Sequence, residues 1–208
     1  MPKTVQPHIQ LSNDIAVDKV LLPGDPARVD RLKKWLDSPK ELVFNREYKS
    51  LIGYYNGTRV LVMSTGMGGP STGIGVEELA NIGVKYAIRI GSCGALQPEM
   101  QLGDLLVATG AIRDEGTTKA YMEEIYPAVP DFQLLACIKQ ALNTKHVEIA
   151  SYLDFLLFCT VILLSCHHGI PALVRGLLSC PPHATSQYAH YMSANAFRLG
   201  GAFGTFTL

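Results

Sequence analysis

The 208-residue chain lacks an excess of charge of either sign, since its 18 basic residues are matched by 18 acidic ones. That balance argues against nucleic acid or an anionic membrane as a partner, because both are drawn in by a bulk field of one sign. A bound anion has to be held locally instead, by a few placed groups. Cys93, Cys137, Cys159, Cys166 and Cys180 form no C-x-x-C pair and leave one cysteine unmatched. This argues against a disulfide framework and favours a reduced, cytoplasmic setting. The opening segment MPKTVQPHIQLSNDIAVDK has no apolar core and no small-residue cleavage site, so no secretion signal is expected. The apolar run FLLFCTVILLSC (155–166) falls short of the roughly twenty residues that a membrane span needs. Pro171 interrupts its continuation, and no membrane partner is expected.

Charge is also scarce at one end. After residue 150 the only charged residues are Asp154, Arg175 and Arg198, while the same stretch holds three of the five cysteines and four of the six histidines. It shows no clear amphipathic period. The expected organisation is an α/β domain over 1–150 followed by a low-charge tail over 151–208. CHH (166–168) and CPPH (180–183) place zinc-type donors in that tail, but their spacing fits no familiar site and no metal is expected.

Before residue 150 the chain repeats one pattern. In DKVLLPGDPARVDRLKKWL (18–36) the run Val20, Leu21 and Leu22 predicts a strand. Asp25 suits an N-cap and Pro26 the first helical position, and Val29, Leu32 and Leu36 share a helical face. In RVLVMSTGMGGPSTGIGVEELANIG (59–83), Val60 to Met63 predict a strand that runs into a glycine loop. The helix that follows has Val76, Leu79 and Ala80 inward and Gly83 at its C-terminal end. KYAIRIGSCGAL is a third strand and loop, DLLVATGAI (104–112) a fourth strand, and DFQLLACIKQALN (131–143) a helix carrying Leu134, Leu135, Ile138 and Leu142. Strands alternating with helices over short loops predict an α/β fold with a largely parallel sheet, whose ligands gather at the carboxyl ends of the strands.

Arg89 stands inside the third strand. Tyr86, Ile88 and Ile90 alternate to one face, leaving Ala87, Arg89 and Gly91 on the other. A guanidinium cannot shed its charge, so burial there requires an anion or a polar pocket. Gly91 and Gly94 allow close backbone approach and Ser92 adds a hydroxyl, a set suited to phosphate. Arg28 follows PGDP in the first turn of a helix, where free N–H groups favour an anion. An arginine on a helix is ordinarily a solvated face, and Arg28 acquires meaning only beside others. Arg46, in FNREYKS, lies in a segment too polar for core. The loop TGMGGPSTG (65–73) places Ser71 where a dinucleotide fingerprint needs its third glycine, so nucleotide-cofactor binding is weakly indicated.

The segments LLPGDPARVDRL, NREYKS, STGMGGPSTGIGVEELANIG, RIGSCGALQPEMQLGDLLVATGAIRDEG and YPAVPDF resemble, in order and spacing, the nucleoside phosphorylases of the uridine phosphorylase and hexameric purine nucleoside phosphorylase group. The resemblance covers residues 7 to about 145. It implies a three-layer α/β sandwich with a mixed, largely parallel central sheet flanked by helices. It also implies transfer of a pentosyl group from a nucleoside to phosphate, with no cofactor beyond inorganic phosphate as co-substrate. By resemblance Gly24, Arg28, Arg89 and Ser92 hold phosphate, and Arg46 serves a neighbouring subunit's phosphate site. His8 reaches a neighbour's ribose 5′-hydroxyl, Met67 borders the sugar, and Cys93 and Gly94 border the base. A homo-oligomer, a hexamer built of dimers, is implied.

The family's second half supplies a Met-Glu motif for the ribose hydroxyls and the groups that bind the base. Residues 151–208 contain no Met-Glu pair, and no glutamate follows Glu148. The expectation is a chain whose C-terminal part departs from the family near Ser151, with the ribose and base half-site not visible. STGMGGPST and the Gln-Pro after the third loop favour uridine, whereas GSCG and NREYKS suit purine-specific members. Two readings stay open: an active phosphorylase, or a silent chain that binds phosphate or assembles with full-length subunits.

Overall fold

The computed structural model describes residues 4–92, 105–143 and 149–150. The chain divides between Ile88 and Arg89 into two compact units. In the first, strand β1 (Lys19–Pro23) leads into helix α1 (Pro26–Lys33), and strands β2 (Asp37–Asn45), β3 (Tyr48–Tyr55) and β4 (Thr58–Met63) follow. Helix α2 (Gly69–Asn81) and strand β5 (Tyr86–Ile90), which crosses the division, complete the series. The five strands form one sheet in the order β2-β3-β4-β1-β5. β1 and β4 run parallel, with Val20 opposite Leu61 and Leu21 opposite Val62. β2 with β3 and β3 with β4 run antiparallel. The sheet is therefore mixed and flanked by helices.

The continuous apolar run of β1 is buried from Val20 to Leu22, as expected of a strand covered on both faces. α1 starts where its sequence predicts, since Asp25 accepts a hydrogen bond from the Ala27 amide at 2.9 Å and Pro26 opens the first turn. Val29 and Leu32 are its buried residues. Leu36 is buried as well but lies beyond the helix, which stops at Lys33. In α2 the inward face is Thr72, Gly75, Glu78 and Leu79, whereas Val76 and Ala80 are only half-buried. Gly75 faces inward because the helix presses on β3 and β4: a β-carbon there would lie 3.1 Å from Tyr48 Cε1 and 3.3 Å from Met63 Cε. The helix ends in a Schellman motif, with the Gly83 amide on the Ala80 carbonyl at 3.0 Å and the Val84 amide on that of Leu79 at 3.1 Å. Gly83 supplies the required positive φ of 99°.

The β2–β3–β4 meander was not anticipated from the strand-helix alternation. Its second turn, Asn56-Gly57 between paired Tyr55 and Thr58, has φ of 48° and 79°. This is the type I′ hairpin turn whose twist matches the flanking strands. The first turn, Arg46-Glu47 between paired Asn45 and Tyr48, places Arg46 at φ 54°. Ile9, Leu11, Val20, Leu22, Tyr48, Leu61, Met63 and Leu79 share one apolar cluster.

In the second unit, strand β6 (Leu105–Leu106) pairs in parallel with strand β7 (Ile149–Ala150). Of the expected strand over 104–112, only Leu105 and Leu106 pair among the described residues. Val107 and Ala108 are buried without a ladder, and beyond the Thr109-Gly110 turn chemistry only Ala111 forms an isolated bridge, to Ala128. Helix α3 (Phe132–Asn143) buries Leu134, Ile138, Ala141 and Leu142, while Leu135 is half-buried. The loop before it is organised by Arg113. Its guanidinium donates to the carbonyls of Thr118 and Met122 at 2.7 Å each, to that of Tyr126 at 3.0 Å, to that of Glu123, and to Thr118 Oγ1 at 3.2 Å. Arg113→Lys replaces a planar five-donor fork with three donors on a point charge. Amide hydrogen exchange across 113–126 is expected to speed up in that variant while exchange in β1 and β4 stays unchanged.

Candidate functional site

Because β1 and β4 are parallel, both release their chains at the same end of the sheet. Gly24 follows β1 there, and Ser64 to Gly68 follow β4. The ladder continues past both strands, with the Thr65 amide on the Pro23 carbonyl and the Gly66 amide on the Gly24 carbonyl, each at 2.9 Å. β3 runs the other way, so the Arg46-Glu47 turn comes to this end too. Ser64 fastens it: its hydroxyl donates to the Glu47 carbonyl at 2.6 Å and accepts from the Lys49 amide at 2.8 Å. The Ser64 amide donates to the Lys49 carbonyl at 2.9 Å.

The glycine loop is seated on the Glu47 side chain. A β-carbon at Gly66 would lie 2.7 Å from Glu47 Cγ, and Gly66 has a φ of 71°, so both space and backbone demand glycine. Ser71, in the first turn of α2, sits under the loop. Its hydroxyl donates to Glu47 Oε1 at 2.7 Å and also approaches the Thr65 carbonyl. That hydroxyl is the main reason the Glu47 carboxyl is held below its ordinary value. The Tyr48 hydroxyl donates to the Ser71 carbonyl at 2.8 Å, and burial pushes the Tyr48 phenol above its ordinary value.

Five of the expected site residues come to this end of the sheet. Gly24 is half-buried at the end of β1, and Arg28 is half-buried in the first turn of α1, its amide on the Asp25 carbonyl at 3.0 Å. Arg46 is exposed at the hairpin turn. Met67 is 96% exposed at the crest of the glycine loop. His8 is tied to the same hairpin, since Asn45 Nδ2 donates to its carbonyl at 2.8 Å. Its other side is tied to Glu78, with His8 Nδ1 2.5 Å from Glu78 Oε1 and the Ile9 amide 2.8 Å from Oε2. In the second unit Arg89 is half-buried between buried Ile88 and Ile90, the alternation expected from the strand, and Ser92 is exposed. Cys93 and Gly94 lie outside the described residues, as does the 151–208 tail with its cysteines and histidines. Among the described residues no group of three or more His, Cys, Asp or Glu side chains could hold a metal, and no helix is long and apolar enough to cross a membrane.

Sequence reasoning missed Ser64, Glu47, Ser71 and Glu78. The Asn56-Gly57 pair signals the β3–β4 hairpin, one strand away from the β2–β3 turn that carries Glu47. Glu78 stands three residues after Gly75 and six after Thr72, in step with the buried face of α2, and that spacing is its only mark.

The fold is an α/β sheet with glycine loops at the ends of two parallel strands and an arginine in the first turn of the helix that follows one of them, the end at which ligands gather in such sheets. The chain belongs to the phosphorylase superfamily, whose family model matches residues 18–175. It is 45% identical over 144 residues to the uridine phosphorylase of Thermococcus kodakarensis, covering 69% of this chain and 52% of that protein. It is 44% identical over 144 residues to the guanosine phosphorylase of Halorubrum lacusprofundi, covering 69% of this chain and 60% of that one. The crystal structure of uridine phosphorylase from Vibrio fischeri matches with a TM-score of 0.69 and 42% identity, over 71% of this chain and 62% of that chain. The chain thus spans roughly half to three-fifths of the length of these relatives.

Two variants probe the seat of the loop. Gly57→Ala meets nothing within 4 Å but forces alanine to a φ of 79°, at a cost of about 1–2 kcal/mol. Gly66→Ala adds the collision with Glu47 and is expected to cost a further 1–3 kcal/mol or so in urea denaturation. Tyr48 yields a pH dependence. A phenol raised in the folded state contributes stability that is present below its unfolded value of 10.0 and lost as pH rises through the folded value. Tyr48→Phe is expected to abolish that alkaline loss while giving up about 1 kcal/mol at neutral pH with the Ser71 hydrogen bond, both read from denaturation midpoints across pH.

Proposed function

We propose that the chain carries out nucleoside phosphorolysis, in which a nucleoside and inorganic phosphate give ribose-1-phosphate and a free base, with uridine the favoured nucleoside. The observation that carries this reading is the Gly66 amide on the Gly24 carbonyl at 2.9 Å. It fastens the two glycine loops side by side, with Arg28 one turn into the helix after Gly24. Gly24, Arg28, Arg89 and Ser92 hold the phosphate, and Met67 borders the sugar. Cys93 and Gly94 border the base. Arg46 and His8 serve the site of a neighbouring copy in a homo-oligomer. The relatives named as uridine phosphorylases support the substrate.

The chemistry explains the parts. As the bond from C1′ to the base nitrogen breaks, its electron pair leaves with the base and positive charge builds on the sugar. A phosphate dianion held close to C1′ stabilises that charge, and one of its oxygens then forms the new bond. Arginines contribute by placing the nucleophile, through proximity and electrostatics. A purine nucleoside is the second reading, carried by the similarity to the guanosine phosphorylase of Halorubrum lacusprofundi.

The test is release of free base from uridine and from inosine, with and without phosphate, by protein of confirmed intact mass. Phosphate-dependent release is expected, faster from uridine, with kcat/KM on the order of 10²–10³-fold lower in Arg28→Ala. Faster release from inosine favours the purine reading. Release without phosphate, or none from folded protein, overturns the proposal.

A further inference from the structure

We infer that Glu78 is the positioning residue of His8, holding the ring with its Nδ1–H on the carboxylate so that Nε2 is presented as a bare acceptor for a sugar hydroxyl. The inference rests on the proposed function for what His8 touches, but not for how the ring is held.

Glu78 is 6% exposed, on the inward face of α2. A carboxylate in such a place requires donors for its oxygens. Three come from the N-terminal segment, seventy positions away: the His8 amide at 3.0 Å, the Ile9 amide at 2.8 Å and the His8 ring nitrogen Nδ1 at 2.5 Å. The two amides fix the backbone, and the third contact fixes the ring. An ionised carboxylate offers only lone pairs, so the proton of that contact sits on Nδ1. In the neutral ring Nε2 then carries a lone pair and no hydrogen, the opposite of the tautomer that free histidine prefers. The His8 side chain is 38% exposed while that of Glu78 is 8% exposed, so the carboxylate is shielded and the ring is reachable. Asn45 holds the His8 carbonyl from the hairpin, and Asn81, one turn beyond Glu78 on α2, donates to Gln6 Oε1 at 3.1 Å. The segment is pinned on both sides of the ring, and the ring has one orientation to offer. A bare ring nitrogen accepts from an O–H and gains nothing from a C–H, which suits it to distinguish a hydroxylated sugar from its deoxy analogue.

The ring nitrogens of ¹⁵N-labelled protein report this directly, read on the neutral ring. The intact protein is expected to show His8 protonated at Nδ1. Glu78→Gln, whose amide can donate to Nδ1, is expected to raise the Nε2–H population several-fold. A dominant Nε2–H form in the unsubstituted protein overturns the inference with no variant needed, as does an unchanged ratio in folded Glu78→Gln. Calorimetric binding of uridine and 5′-deoxyuridine, with phosphate present, tests the underlying reading separately. Tighter binding of uridine is expected, with the preference falling about tenfold in Glu78→Gln, as for loss of one hydrogen bond. Equal binding of the two nucleosides with Nδ1 protonated overturns the sugar contact and leaves the positioning intact.

Discussion

Where a central strand leaves its sheet, its amides and carbonyls still need partners, and the end of β4 meets that constraint before anything can bind there. Ser64 and Thr65 are fully buried, so unpaired polar groups at either would cost on the order of 1–3 kcal/mol each. Ser64 turns to the β3 side and pairs with Glu47 and Lys49, while Thr65 and Gly66 turn to the β1 side and pair with Pro23 and Gly24. The glycine loop is thereby held between two neighbours. Its crest, Met67 and Gly68, is exposed because the residues beneath it have already satisfied the backbone. Tyr48 and Ser71 extend the same hydrogen-bonded chain into α2, which sets where the helix begins.

That arrangement makes the proposed phosphate site compatible with a neutral chain. With 18 charges of each sign, attraction of phosphate depends on where cations stand and not on how many there are. α1 contributes Arg28 in its first turn, where the helix dipole adds to the guanidinium. The hairpin contributes Arg46 at a turn. Nearby cations with a purely structural task are neutralised locally: Lys49 meets Asp30 at 2.7 Å and Lys33 meets Glu41 at 2.7 Å. The first of these ties the hairpin to α1 and steadies the two arginine-bearing elements against each other.

What was legible in the sequence was local. The apolar runs of β1 and β4, the Asp25-Pro26 helix start, the glycine that ends α2 and the inward-outward alternation around Arg89 each follow from neighbours within one turn or one pleat. β2 escaped because it is an edge strand, mostly exposed and with two irregularities in its register, so it carries no period-2 apolar pattern to detect. The inward face of α2 was misjudged at Glu78 for a different reason. A glutamate beside another glutamate looks like solvent-facing helix, and it is buried here only because two amides and a ring arrive from the N-terminal segment. The run 104–112 is apolar enough for a strand, yet among the described residues its ladder is two residues long. Partners distant in sequence decided the last two, and composition does not encode them.

The central claim is that the strand-end loops and their arginines form a phosphate site. Isothermal titration of inorganic phosphate into the intact protein tests it most directly, with Arg28→Ala as the comparison. Saturable binding at one site per chain, lost in the variant while its folding is unchanged, is the predicted result. No binding to the folded protein, or equal binding to both forms, would contradict the account.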